Sequence, residues 1–217
     1  EAPLTMRDLG IRFSEDVFLL GYQMDQSSVL TGDALRVRLY WLAVGAMDED
    51  LTVSLRVYGR DDAVIGQLDT YPGMGSYPTS LWTPGEVLYD DYVIPISGEA
   101  EAPTAASLRV GLYRREGMVH LSAQDAAGAD VGTGPQIARV RVAPARRTEP
   151  QAAQDLDLRF GESVALEGYG VTHTSDGASQ TLDVRLYWRR VGPLAQDWTV
   201  FVHLLDEVGN LVAQDDQ

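Results

Sequence analysis

Hydrophobic and polar residues alternate along most of this chain with a period of two. Leu35, Val37, Leu39 and Trp41 fall on one face of a segment whose other face carries Arg36, Arg38 and Tyr40, the pattern of a half-buried β-strand. The next segment repeats it, with Val53, Leu55 and Val57 set against Thr52, Ser54 and Arg56. Further strands are expected near residues 17–24, 64–69, 87–96, 108–113, 119–123 and 137–142, about eight in all. Turn signals at Thr31-Gly32-Asp33, Asp61-Asp62, Pro72-Gly73, Pro84-Gly85 and Ala127-Gly128 separate them. No segment shows helical periodicity beyond a turn or two. The expected fold is therefore all-β: an antiparallel two-sheet β-sandwich with jelly-roll or immunoglobulin-like topology.

The pattern occurs twice. Residues 8–70 align with 155–217 without a gap, and roughly a third of the positions are identical. Arg12-Phe13 matches Arg159-Phe160, Gly21-Tyr22 matches Gly168-Tyr169, and the run Val37 to Trp41 matches Val184 to Trp188. Thr52-Val53 matches Thr199-Val200, while Gln67 and Asp69 match Gln214 and Asp216. Identity at outward positions such as Arg38 and Tyr40 points to duplication, because core patterning does not require it. Three regions follow: a complete sandwich over 1–143, a Pro/Ala/Arg linker over 144–154, and the first half of a second copy over 155–217. Leu182, Val184, Leu186 and Trp188, then Val200, Val202 and Leu204, are expected to face inward as their counterparts do. Half a sandwich leaves an apolar face and open strand edges. The natural chain is therefore expected to continue, the alternative being completion of the half domain by strand exchange with another molecule.

A chain of 217 residues can bury a sizeable core without staples. With no cysteine, disulfides, thiol nucleophiles and cysteine-based zinc sites are excluded. The formal charge of −15 argues against nucleic acid as a partner, since such binding needs a basic footprint. All seventeen basic residues are arginine, read here as the coding bias of a GC-rich genome. No apolar run is long enough to cross a membrane as a helix. An anchor outside this chain stays open.

Several segments carry a family resemblance. They are Gln67 to Pro72, the loop Pro78-Thr79-Ser80-Leu81-Trp82-Thr83-Pro84-Gly85-Glu86, Asp91-Tyr92, Val110-Gly111-Leu112-Tyr113, and Thr199 to Leu204 with Ala213-Gln214-Asp215. Together they resemble the soluble β-sandwich region found after the membrane part of dolichyl-phosphate-mannose-type (family 39-like) glycosyltransferases of Chloroflexi and relatives. The resemblance covers nearly everything but the linker. It implies a bacterial, extracytoplasmic domain associated with a membrane glycosyltransferase. It implies no transferase chemistry here, because that belongs to the membrane portion. The first copy departs from the pattern with Ser54-Leu55-Arg56-Val57 where the second has Phe201-Val202-His203-Leu204, so no role is carried over to His203.

The proline-rich loop supplies the candidate ligand-binding residues. Tyr71, Tyr77 and Trp82 could stack on the apolar face of a sugar, with Asp69, Glu86 and Asp91 accepting from its hydroxyls. In the alternative reading Trp82 caps the end of the core and the prolines stiffen a long crossover. Asp69, Glu86, Asp90 and Asp91 could also gather oxygens around a structural Ca2+, although no EF-hand spacing is present. Trp41 and Trp188 read as core anchors. His120, His173 and His203 have no metal-ligand spacing and read as packing or surface residues. Gly-x-Ser-x-Gly is absent, and a glycosidase carboxylate pair depends on a separation that sequence does not give. The expected function is a non-catalytic, extracytoplasmic accessory module of a larger surface or membrane-anchored protein, with glycan or other protein subunits as partners. The alternatives are a structural or assembly protein of the cell surface, the soluble part of a membrane glycosyltransferase-like protein, and a hydrolase built on paired carboxylates.

Overall fold

The structure, a computed structural model, describes residues 5–146, 152, 154–175, 180–194 and 198–216. The chain divides into two compact units, Glu1–Arg147 and Thr148–Gln217, and both are all-β.

The first unit opens with β1 (Arg7–Phe13), β2 (Val17–Gln23), the short β3 (Ser28–Leu30), β4 (Ala34–Ala43) and β5 (Leu51–Tyr58). It continues with β6 (Val64–Thr70), β7 (Val87–Pro95) and β8 (Thr104–Arg114). Four further strands close it: β9 (Val119–His120), β10 (Ala123–Gln124), β11 (Asp130–Gly132) and β12 (Gln136–Ala143). They form two sheets. One has the order β11-β10-β1-β2-β4-β7; the other runs β3-β12-β8-β5-β6, with β9 attached to β8. All pairings are antiparallel except β3 with β12. Strands β2-β4-β7 against β6-β5-β8-β12 follow the immunoglobulin-like order, and β3 runs parallel on the edge of β12.

Alternation decides which side chains meet between the sheets. Phe13, Leu19, Leu35, Leu39 and Trp41 from the first sheet pack with Val53, Leu55, Leu108, Leu112 and Val140 from the second in one buried cluster. Trp41 sits at its centre, its ring 6.2 Å from Phe13 and 6.4 Å from Trp82.

Three sequence expectations change here. Residues 119–123 are not one strand. Val119–His120 pairs with β8, whereas Ala123–Gln124 pairs with β1 in the opposite sheet. Leu121 turns inward between them and its N–H donates to the Leu112 carbonyl, so the chain changes sheets at this point. Strands β1, β3, β10 and β11 were not anticipated, because three of them have three residues or fewer and offer no period to read. The third change concerns the second unit.

That unit contains β13 (Gln154–Phe160), β14 (Val164–Ser175) and β15 (Gln180–Arg190) in one antiparallel sheet, and a hairpin of β16 (Phe201–Leu205) with β17 (Leu211–Asp216). Most of the linker, residues 147–151 and 153, lies outside the described residues, as does Gln217. The strands fall where the repeat places them, and so do their irregularities. The register breaks between Asp155 and Leu158, Leu166 and Gly168, and Leu204 and Leu205. In the first unit it breaks at the matching Asp8/Ile11, Leu19/Gly21 and Val57/Tyr58. Gly21 shows why one such position is fixed: a Cβ there would overlap the Arg7 carbonyl, as one on Gly168 would overlap the matching Gln154 carbonyl. The inward residues are nevertheless not sealed. Trp188, expected as a core anchor, is 39% exposed, and Leu182, Val184 and Leu204 are exposed with it. Among the described residues of this unit, no strands equivalent to β7, β8 and β12 cover them.

Candidate functional site

The proline-rich loop is the crossover from β6, at the edge of one sheet, to β7, at the edge of the other. Two 3-10 turns, Pro72–Gly75 and Thr79–Leu81, shape it. It is pinned from within. The Thr79 hydroxyl, fully buried, donates to the Glu49 carbonyl at 2.7 Å and accepts from the Leu51 N–H at 2.8 Å. Trp82 is 4% exposed, packs in the core, and donates from Nε1 to the Tyr77 carbonyl at 3.2 Å. Its indole therefore seals the sandwich end and presents no face for stacking. The Tyr77 hydroxyl donates to the Glu86 carboxylate at 3.1 Å, and Glu86 also accepts from the Thr83 N–H at 2.9 Å. Desolvation, helped by the hydrogen bond to Glu86 and then by the charge of that carboxylate, raises the Tyr77 phenol above its ordinary pKa. Tyr71 is half-buried, and its carbonyl closes the turn by accepting from the Gly75 N–H.

The six candidates thus do not converge on one ligand. Tyr77, Trp82 and Glu86 form a structural knot, while Asp69 lies on the other sheet, ion-paired with Arg56 at 2.7 Å. Asp90 accepts from the Gly73 N–H at 2.7 Å, and Asp91 points to a different surface. The carboxylates considered for calcium are thus each committed to a protein donor. Among the described residues no three acidic or histidine side chains are grouped as a metal site.

Asp91 belongs to the outer face of the β2-β4-β7 sheet, where the fold assembles an aromatic and charged patch. The register sets Arg38 opposite Asp91 and Tyr40 opposite Tyr89. The Arg38 guanidinium donates twice to Asp91, at 2.7 Å from both Nε and Nη2, and stands 4.6 Å from the centre of the Tyr89 ring. Tyr40 lies 6.3 Å from Tyr89 and donates to the Gln23 side-chain oxygen at 2.7 Å. Tyr89 is 65% exposed, and Val87 and Val93 flank it in the open. The hydrogen bonds from Arg38 hold the Asp91 carboxyl below its ordinary pKa and raise that of Arg38 in turn. Beside Arg36, next outward on the same strand, lies an open depression of about 350 Å³ lined also by Gln26, Ser28 and Asp33.

Alternation placed Arg36, Arg38 and Tyr40 outward, but could not reveal that β7 crosses to lie beside β4. The missed site residues, Tyr89 above all, depend on that non-local pairing.

Fold and surface define this chain as a β-sandwich protein with an immunoglobulin-like first unit and a patterned outer sheet face. No protein-family model matches the chain, and no curated protein matches it.

Proposed function

We propose that this chain is a non-catalytic accessory module of the bacterial cell surface whose first sandwich binds glycan through the outer face of its β2-β4-β7 sheet. One observation carries the reading: Tyr89, broadly exposed on the outer face of the sheet, is oriented by Arg38 and stands beside Tyr40 with Asp91 and Gln23 within the same patch. An exposed aromatic ring covers the C–H face of a sugar, and the surrounding guanidinium, carboxylate and amide groups match its hydroxyls. The depression lined by Gln26, Ser28, Asp33 and Arg36 offers further polar groups beside β4. The resemblance to the soluble region of family 39-like glycosyltransferases supports an extracytoplasmic setting. It also supports association with a membrane glycosyltransferase, which would supply both anchor and chemistry.

The test is retention of the chain on immobilised bacterial surface polysaccharides, followed by titration of the oligosaccharides retained. Tyr89→Ala should abolish retention with the circular dichroism spectrum unchanged, since the ring is outside the core. Equal retention of parent and variant, or no retained glycan, would refute the assignment. A second reading, an assembly protein, is favoured by the apolar side chains exposed in the second unit.

A further inference from the structure

The outer face of the second sheet belongs to the opposite sheet from Tyr89, and its charge is unlike that of the chain as a whole. Strands β3, β5, β8, β9 and β12 contain no Asp or Glu, and β6 contains only Asp69. Alternation turns Arg56, Arg109, Arg139 and Arg141 outward, because the residues on either side of them in each strand, such as Leu108 with Val110, are buried. The register sets Arg56 directly opposite Arg109, a like-charge pair that Asp69 and Asp62 offset by ion pairing at 2.7 and 3.2 Å. Arg139 and Arg141 are exposed and, among the described residues, have no carboxylate partner. They stand about 7 Å apart along β12, Arg139 opposite Ser107 and Arg141 opposite Ser28. In a chain of formal charge −15 this face is basic. Exposed aliphatic side chains flank it at both edges, Leu30 on β3 at 42% and Val64 on β6 at 50%. Tyr58 lies between them, its ring 4.5 Å from the Arg109 guanidinium.

We propose that this face docks on the headgroup layer of an anionic lipid bilayer, with Arg139 and Arg141 taking lipid phosphates while Leu30 and Val64 enter the layer at the rim. Two observations specify the occupant. The unpaired guanidinium groups call for an anion, and each can donate two parallel hydrogen bonds to a phosphate. The aliphatic rim selects lipid over a dissolved polyanion, which offers Leu30 and Val64 nothing apolar to enter. The overall charge points the same way. Screening confines attraction to about 8–10 Å at physiological salt, so a bilayer responds mainly to the arginines that face it. A dissolved polyanion is also repelled by the acids elsewhere on the chain. Glycan binding is assigned to the other sheet, so the proposal does not rest on it.

The test floats the full 217-residue chain with vesicles of phosphatidylcholine alone and of phosphatidylcholine with an equal share of phosphatidylglycerol. Binding is expected to the phosphatidylglycerol vesicles only, and it should fall as salt rises. Arg139→Gln combined with Arg141→Gln should weaken it about 25-fold, from about fivefold per arginine. Thermal unfolding of that variant should match the parent, since neither side chain has a carboxylate partner to lose. Leu30→Asn combined with Val64→Thr should also weaken vesicle binding. Failure to bind phosphatidylglycerol vesicles at low salt would overturn the proposal, as would equal binding to both vesicles or equal binding by the parent and the arginine variant. Vesicle binding that survives Leu30→Asn with Val64→Thr and is displaced by free alginate would also overturn it, and would assign the face to an acidic polysaccharide.

Discussion

The two units of this chain run nearly the same sequence pattern to different ends. Trp41 is completely buried and Trp188, its match in the repeat, is 39% exposed; Phe13 is buried and Phe160 is 48% exposed. The ladders agree all the same, down to the residues at which the register breaks. Strand pairing and bulges are thus written locally, in alternation and in a glycine that lets two backbones approach. Burial is written elsewhere in the chain, in strands some fifty or more residues away. One segment makes the point without any side chain. Ser28–Leu30 leaves β2 to pair with β12 in the opposite sheet, whereas the matching Ser175 stays on β14 and pairs with Gln180 of β15. The difference follows the partner: β12 draws the segment across, and the second unit has no described strand in its place.

The strongest way to break this comparison is to truncate the matched tryptophans. Trp41→Ala should destabilise the first unit by about 3–5 kcal/mol, the range for a large aromatic removed from a sealed core. Trp188→Ala should cost about 1 kcal/mol or less, chiefly its edge-on contact with Phe160 at 5.4 Å. Urea unfolding with amide exchange to separate the units would measure both. Equal penalties would mean that the second unit has a closed core after all. Trp82→Ala belongs with the first of these, at about 3 kcal/mol. Selective loss of ligand binding with no loss of stability would instead return Trp82 to the surface role that the loop sequence suggests.

A smaller effect sharpens the same comparison from the other side. Gly21→Ala and Gly168→Ala insert a methyl group against matched backbone carbonyls. Each should lower the stability of its own unit by about 1–3 kcal/mol, since overpacking at a bulge acts through the ladder and not through the core. If only Gly21→Ala mattered, the bulge of the second unit would not be the same structural feature. This would be read by thermal unfolding of the two variants side by side.

Much of this was legible in the chain itself. Alternation placed β4, β5 and their repeats, and outward identities such as Arg38 with Arg185 exposed the duplication. The turn residues bounded most strands. What could not be read was non-local. Nothing at residues 119–124 announces a change of sheet, because two two-residue strands have no period. Nothing in the loop says that Trp82 turns inward, since stacking on a sugar and packing on Trp41 call for the same residue among the same prolines. The Tyr89 patch was hidden for the related reason that β4 and β7 meet only after an intervening stretch of more than forty residues that holds β5 and β6.

The finest distinction between the units is electrostatic. Arg38 has Asp91 beside it on β7, whereas Arg185 has no described strand on that side of β15. Arg38 holds Asp91 below its ordinary pKa, so the pair stabilises the fold above the unfolded carboxyl's value, about 3.9, and this contribution disappears as pH falls through the lower folded value. Asp91→Asn should therefore cost about 0.2–1 kcal/mol at neutral pH, kept small because both side chains are more than a third exposed and screened by solvent. The penalty should shrink in high salt and vanish once the parent carboxyl is itself protonated. Arg185→Ala should show no comparable pH-dependent penalty. Urea unfolding of parent and variants at neutral pH and in acid would read all of this. A penalty for Asp91→Asn that persists in acid would mean that the carboxylate's shape and hydrogen bonds, and not its charge, stabilise the patch.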